Sequence, residues 1–359
     1  MKEYKVLGMM SGTSLDGLDL ALCHFSKSDG KWNFSIEKTH EVSYNSTWKN
    51  RLKNAIHISE EDHAVLDNEY GIWLGEKAKH FLEEGDSTVD FIASHGHTSH
   101  HRPEEGFTFQ LGNGQLLANT SGRKVICDFR TKDVKLGGQG APLVPIGDHL
   151  LFGEYDFCLN LGGISNVSFV RDSVRKALDI GMANMPLNYL TQKINLEYDE
   201  DGQLAQSGKL IPKLKTALDS LEYYTLPHPK STGYEWFLAD VVPLIEKSEG
   251  SIADLLHTII HHNCEQIALE IGKFSTKSNN IMFVTGGGAF NSFFIKTLQE
   301  KLGDSFTLKI PNKTLIAFKE ALVFALMGIL KEENETNIFA SVTGASQDSC
   351  SGEVFLPKS

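Results

Sequence analysis

Three glycine-rich turns in this sequence carry the residue types that phosphate chemistry needs. The first runs Gly8-Met9-Met10-Ser11-Gly12-Thr13-Ser14-Leu15-Asp16-Gly17-Leu18-Asp19. Glycines and small hydroxyl residues let backbone N–H groups approach phosphate oxygens, and the Thr13 and Ser14 hydroxyls add donors. Asp16 and Asp19 would repel a bare phosphate. They make sense with Mg²⁺ between, because magnesium takes carboxylates and waters as hard oxygen ligands. The plain alternative is a β-hairpin with a polar turn. The second turn, Asn160-Leu161-Gly162-Gly163-Ile164-Ser165-Asn166, offers the same equipment further along the chain. The third, Thr285-Gly286-Gly287-Gly288-Ala289-Phe290-Asn291, leads from a strand into a helix N-terminus, a placement that suits a phosphate or a nucleoside lying on the backbone. Consecutive glycines each cost backbone entropy, so such a run asks for a reason other than folding. Rival motifs fail. The segment 202–210 has one residue too many for a P-loop and ends in Leu where Ser or Thr is needed. Gly112-Asn113-Gly114 and Gly138-Gln139-Gly140 lack the third glycine of a dinucleotide fingerprint. Gly12-Thr13-Ser14-Leu15-Asp16 misses the nucleophile-elbow pattern at its last position.

These turns must be held by a sheet. Residues 6–10 and 18–22 read as strands, the second with Leu18, Leu20 and Leu22 on one face. A third strand is expected over 32–42, helices over 46–58 and 61–84, and short buried strands over 89–93 and 124–127. A hairpin of strands followed by alternating helices and strands points to an α/β domain with a mixed sheet. The second half repeats the opening: strands over 157–161, 165–170 and 176–179, then a helix beginning near Ala183. Internal similarity of this kind suggests two related domains. A helix over 252–271, a strand over 281–284, a helix from Ala289 and a last apolar helix over 315–330 complete the reading. The expected domains are 1–140 and 141–331, with 332–359 packing back on the first.

Bulk properties agree and exclude several classes. A chain of 359 residues exceeds one ordinary core, so two domains are the default. A net charge of −12 argues against non-specific nucleic-acid binding, which needs a basic surface. Cys23, Cys127, Cys158, Cys264 and Cys350 form no CxxC pair, and three lie in apolar runs, so reduced thiols are expected. The opening residues show no signal-peptide pattern, and the longest apolar run, 321–330, is half a membrane span. A soluble, cytoplasmic protein is expected.

The motif Gly8-x-Met10-Ser11-Gly12-Thr13-Ser14-x-Asp16-Gly17-x-Asp19 resembles the signature opening of the anhydro-N-acetylmuramic acid kinases. The resemblance continues in order through Ser94-His95-Gly96, His101-Arg102-Pro103, Gln110-Leu111-Gly112-Asn113, Asp128-Phe129-Arg130 and the run from Gly137 to Pro145. It then takes in the second turn, Asp201-Gly202, Pro229-Lys230-Ser231-Thr232-Gly233, the triple glycine, Glu320-Ala321 and Val342-Thr343-Gly344-Ala345. It implies an actin/hexokinase-like fold of two RNase-H-like domains, with mixed sheets flanked by helices and an active-site cleft between them. It also implies a kinase that uses ATP and Mg²⁺ on 1,6-anhydro-N-acetylmuramic acid, with water attacking the anomeric carbon while O6 takes the γ-phosphoryl. The homologues resemble homodimers, which no apolar pattern here demands.

Carried over residue by residue, the family's catalytic Asp falls on Asp179, in Asp179-Ile180-Gly181-Met182-Ala183-Asn184. Glu320 would help hold the attacking water, and Arg130 would meet the lactyl carboxylate. Ser94, His97 and Asn184 fall in the sugar-binding region. ATP would lie on Gly12, Thr13, Ser14, Asp16, Gly17, Asp19, Gly162, Gly163, Ser165, Asn166, Gly286, Gly287, Gly288 and Asn291, with Mg²⁺ held through water by Asp16 and Asp19. Ile180, Met182, Ala183, His97 and Tyr234 depart from the family pattern, as does the segment from Thr258 to Cys264. These changes leave room for a silent, sugar-binding relative. Two histidine clusters (His95, His97, His100, His101 and His257, His261, His262) raise a zinc hydrolase as a further alternative. Lys230 has no partner visible in the sequence.

Overall fold

The computed structural model describes residues 2–12, 15–228 and 230–358. The chain divides into two compact units, Met1–Leu151 with Phe318–Ser359, and Phe152–Ala317. In the first, β1 (Lys2–Ser11), β2 (Gly17–Ser28) and β3 (Lys31–Ser43) form an antiparallel meander. Leu18, Leu20 and Leu22 of β2 alternate inward, as period-2 patterning requires, onto a core with Leu7, Met9, Tyr70 and Leu74. The helix Glu60–Glu83 then leads to β4 (Phe91–Arg102), which lies parallel to β1 on its other side. β5 (Phe107–Leu111) pairs with the outer part of β4, and β6 (Val125–Cys127) adds in parallel.

The second unit repeats this plan. β7 (Phe157–Leu161), β8 (Ile164–Arg171) and β9 (Val174–Met182) are antiparallel. β10 (Asn280–Thr285) and β11 (Phe306–Lys309) extend the sheet in parallel from β7. The strand orders β3-β2-β1-β4-β6 and β9-β8-β7-β10-β11 are the same. This is the RNase-H-like topology twice over, with mixed sheets flanked by helices, as expected. Among the described residues no helix is long and apolar enough to cross a membrane.

The units divide at 151/152 and 317/318, whereas the sequence suggested 140/141 and 331/332. Packing explains the shift. A Cβ at Gly147, in the helix Pro145–Leu150, would meet Val323 Cγ2 at 2.3 Å. Next to it, the Lys319 ammonium pairs with Asp148 at 2.7 Å, both side chains nearly fully buried. The helix Lys313–Glu332 therefore crosses from one unit to the other, and its apolar stretch from Ala321 to Leu330 is core of the first. The tail returns as β12 (Glu353–Phe355), antiparallel to β6.

Backbone meets backbone where β1 crosses this helix. A Cβ at Gly8 would lie 2.0 Å from the Ala321 carbonyl oxygen, the residue after Glu320. Gly8→Ala is expected to destabilise the protein by about 1–3 kcal/mol through overpacking. Thermal unfolding checks it, and a melting temperature equal to the parent's contradicts the contact.

Several elements were not legible, among them β5, β11, β12 and the helices Gly114–Ser121 and Pro212–Asp219. β4 also runs on through its histidines to Arg102, well past the expected end at 93. That part is polar throughout, buried from Ser94 to His97 and more exposed beyond, so it breaks the apolar pattern that marks a strand.

Candidate active site

In the first unit the hairpin β1–β2 is pinned beside its turn by a buried hydroxyl chain. Ser11 Oγ lies 2.9 Å from His97 Nδ1, the Tyr44 hydroxyl donates to Ser11 Oγ at 2.8 Å, and Tyr44 and Tyr70 hydroxyls meet at 2.5 Å. Burial lowers His97 to about 4, so it is neutral and serves this chain through Nδ1. Ser94 is also buried, and its Oγ accepts from the Gly96 amide at 3.3 Å. The turn itself holds Gly12, with the Leu15 amide donating to its carbonyl at 3.3 Å and Leu15 at φ +61°. Thr13 and Ser14 lie outside the described residues. Gly17 is required sterically, since a Cβ there would sit 2.7 Å from the Val42 carbonyl oxygen.

Beyond the turn, carboxylates converge. Asp19 is half-buried on β2, opposite Met10 and Glu41, while Asp16 is exposed. Burial, then the charges of Glu41, Glu320 and Asp16, raises Asp19 to about 7. Glu320 keeps surface exposure but lies deep among protein atoms, and that burial raises it against the pull of Arg130 and Lys319. Burial in turn lowers Arg130 to about 10, opposed by Glu320 and Asp133. Arg130 donates to His95 Nε2 from Nε at 3.0 Å and also to the Gly140 carbonyl. Asp133 accepts from the Gly140 amide and the Thr343 hydroxyl, each at 2.8 Å, which ties the 137–145 and 342–345 blocks together.

A hard cation fits this donor set. Burial first, and then the neighbouring carboxylates, make Asp19 hold a proton near neutrality, and a divalent ion would relieve the repulsion among the carboxylates. Among the described residues no three His, Cys, Asp or Glu side chains gather as a metal cage.

In the second unit the other two glycine turns touch. A Cβ at Gly286 (φ +83°) would lie 2.6 Å from Asn160 Oδ1, and one at Gly288 would lie 2.7 Å from Leu161 Cβ. Two of the three glycines are thus demanded by packing, contrary to the expectation that folding had no use for them. Gly287 is exposed, and a Cβ there would have Asn184 Nδ2 at 3.7 Å as its nearest contact. Asn184 fastens the second turn: its Nδ2 donates to the Leu161 carbonyl at 2.8 Å, and its backbone amide to the Gly162 carbonyl at 3.0 Å. The Gly163 carbonyl accepts from the Ala183 amide at 2.9 Å. Ser165 is buried and donates to the Gly181 carbonyl at 3.0 Å. Asn291 caps the helix Ser292–Leu302, accepting from the Phe294 amide at 2.9 Å, and Asp201 accepts from the Ser292 amide beside it.

Asp179 lies on β9 opposite Asn166 and is half-buried. Burial raises its carboxyl above the ordinary carboxylate range, partly offset by the Thr232 amide, which donates to Oδ2 at 3.2 Å. The Tyr223 hydroxyl donates to the Asp179 carbonyl at 3.0 Å. Neither Tyr223 nor the Thr232 amide was anticipated; a backbone amide leaves no mark in residue types. Lys230, whose partner the sequence does not show, is buried and pairs with Glu270 at 3.5 Å.

A model of the anhydro-N-acetylmuramic acid kinase family matches residues 4–357. The chain belongs to that family. Among its relatives, the anhydro-N-acetylmuramic acid kinase of Aliivibrio fischeri is 32% identical over 98% of this chain and 99% of its own length. The one from Shewanella sediminis is 33% identical over 97% and 98%, and that from Shewanella denitrificans 34% over 98% of each. Histidines from both clusters have protein partners. His262 lies 2.6 Å from Asp219 and 2.9 Å from the Tyr224 hydroxyl, and His257 lies 2.9 Å from the Ala205 carbonyl. His101 lies 3.1 Å from Thr108 Oγ1.

Proposed function

We propose that this chain is an ATP-dependent kinase of 1,6-anhydro-N-acetylmuramic acid that opens the anhydro ring with water as it phosphorylates O6. The products are N-acetylmuramic acid 6-phosphate and ADP. Family membership supports the kinase half. The observation that carries the ring-opening half is Asp179, a half-buried carboxyl with raised proton affinity, oriented by one amide. A general base works best when its pKa approaches the working pH, and burial moves Asp179 that way.

Asp179 takes one proton from the water as its oxygen bonds to the anomeric carbon and the C1–O6 bond breaks. O6 takes the γ-phosphoryl, and the bond from that phosphorus to the β-phosphate bridging oxygen breaks to leave ADP. Gly287, exposed between two glycines fixed by packing, lets the nucleotide approach the backbone closely. The hairpin ending in Gly12 and Gly17 cradles phosphate oxygens, with Asp16 and Asp19 holding Mg²⁺ through water. Asp16 and Asp19 would hold such an ion there, where it would supply neutralising charge to the transferring phosphoryl group. Glu320 orders the attacking water, and the remaining N–H groups of Arg130 serve the lactyl carboxylate.

ADP release should require ATP, Mg²⁺ and the anhydro-sugar together, with one N-acetylmuramic acid 6-phosphate formed per ADP. Equal ADP release without the sugar would sink the reading. A silent relative would show a sugar-induced thermal shift with no turnover.

A further inference from the structure

Two arms grip Asp179 from outside its sheet, and both are tied to one buried carboxylate. The first arm is Tyr223, in the short 3-10 turn Glu222–Thr225, whose hydroxyl reaches the Asp179 carbonyl. The second is the loop that delivers the Thr232 amide to Asp179 Oδ2. Lys230 lies between the arms in the chain. Its Nζ donates to the Tyr223 carbonyl at 3.3 Å, sits 4.9 Å from the centre of the Tyr223 ring and pairs with Glu270 Oε2 at 3.5 Å. His228 meets Glu270 Oε1 at 2.5 Å, and Lys273 meets Oε2 at 2.9 Å. Glu270 stands near the end of the long helix Ile252–Gly272, and its side chain is 5% exposed against 3% for Lys230.

Burying charge in this way is costly, and a buried pair is weak evidence of added stability. Its use is better sought in what it orders. We infer that Glu270 is a positioning residue for the reaction: through Lys230 and His228 it anchors the segment that delivers the Tyr223 hydroxyl and the Thr232 amide to Asp179. The inference rests on Asp179 being the base.

The anchoring has a chemical consequence. An amide donating to a carboxylate favours its charged form, so the Thr232 contact holds Asp179 lower than burial alone would. The groups facing Asp179 are Asn166 from β8, Tyr223 from the 3-10 turn and Thr232 from the loop. Those facing Glu270 are His228, Lys230, Lys273 and Tyr223. Loosening the loop weakens the amide contact and raises Asp179, so the acid limb of the rate profile moves to higher pH.

Glu270→Gln keeps the side-chain size and removes the charge. It should lower kcat roughly ten- to a hundredfold, the scale of a slightly misplaced catalytic group, and shift the acid limb upward. Since neither arm is placed on substrate, KM for sugar and for ATP should stay within about twofold. Lys230→Met leaves Glu270 paired with His228 and Lys273 and should act in the same direction by less; it is the variant to read if Glu270→Gln does not fold. Asp179→Asn is measured alongside. If it retains activity, the base assignment fails and this inference with it. If it is inactive while a folded Glu270→Gln or Lys230→Met keeps the parental kcat and acid limb, the positioning role alone is overturned.

Discussion

Asp179→Asn is expected to abolish turnover while the protein stays folded. The substitution keeps the side chain's size and its ability to accept from the Thr232 amide, but an amide oxygen cannot take a proton from water near neutral pH. A lost general base costs roughly 10²- to 10⁴-fold in rate, and here the base also has to time its proton with departure of O6. The fold should not suffer, because a carboxyl that burial pushes toward its neutral form is no ion pair that stability depends on. In the parent, kcat/KM should fall on the acid side through a pKa above the usual carboxylate range. Circular dichroism and thermal unfolding separate the two effects. A variant with a tenth or more of the parental rate would place the base elsewhere.

Asp19→Asn should move stability and activity in opposite directions. Asp19 rises from 3.8 to about 7, because burial and three neighbouring carboxylates disfavour its charge. The sign follows from linkage. Below about pH 4 the group is protonated folded or unfolded. Between there and about pH 7 the unfolded chain releases the proton while the folded one keeps it, so stability falls across that window. Without Mg²⁺ the Asn variant should therefore melt higher than the parent at pH 8, and the two should converge near pH 4. With Mg²⁺ and nucleotide the order reverses in function. Loss of a carboxylate that holds the ion through water should raise the Mg²⁺ needed for half-maximal rate by roughly 10- to 100-fold. A variant that melts lower than the parent at pH 8 without Mg²⁺ would show that the carboxylates do not crowd one another.

What could be read from the sequence follows the range of the forces involved. Leu18, Leu20 and Leu22 announce their strand because period-2 burial is written in adjacent residues, and the helix Ile252–Gly272 announces itself in the same way. The repeated hairpin was legible for the same reason, and with it the expectation of two related domains. Lys230 and Glu270 are far apart in the chain, and nothing local in either residue names the other. Gly286 and Gly288 were open to a functional reading because the turn that excludes their side chains belongs to Asn160 and Leu161. The Asn291 side chain caps a helix, a role that its residue type permits as readily as contact with a nucleotide. The unit boundary slipped because the contact of Gly147 with Val323 joins segments that are remote in sequence.

The central claim is that one carboxylate primes water against the sugar ring while O6 receives phosphate. Turnover in ¹⁸O-water with ATP, Mg²⁺ and the anhydro-sugar, followed by mass spectrometry of the product, tests it most directly. The account predicts one heavy oxygen on C1 and an unlabelled phosphate on O6. Unlabelled C1, or label within the phosphate, would contradict it.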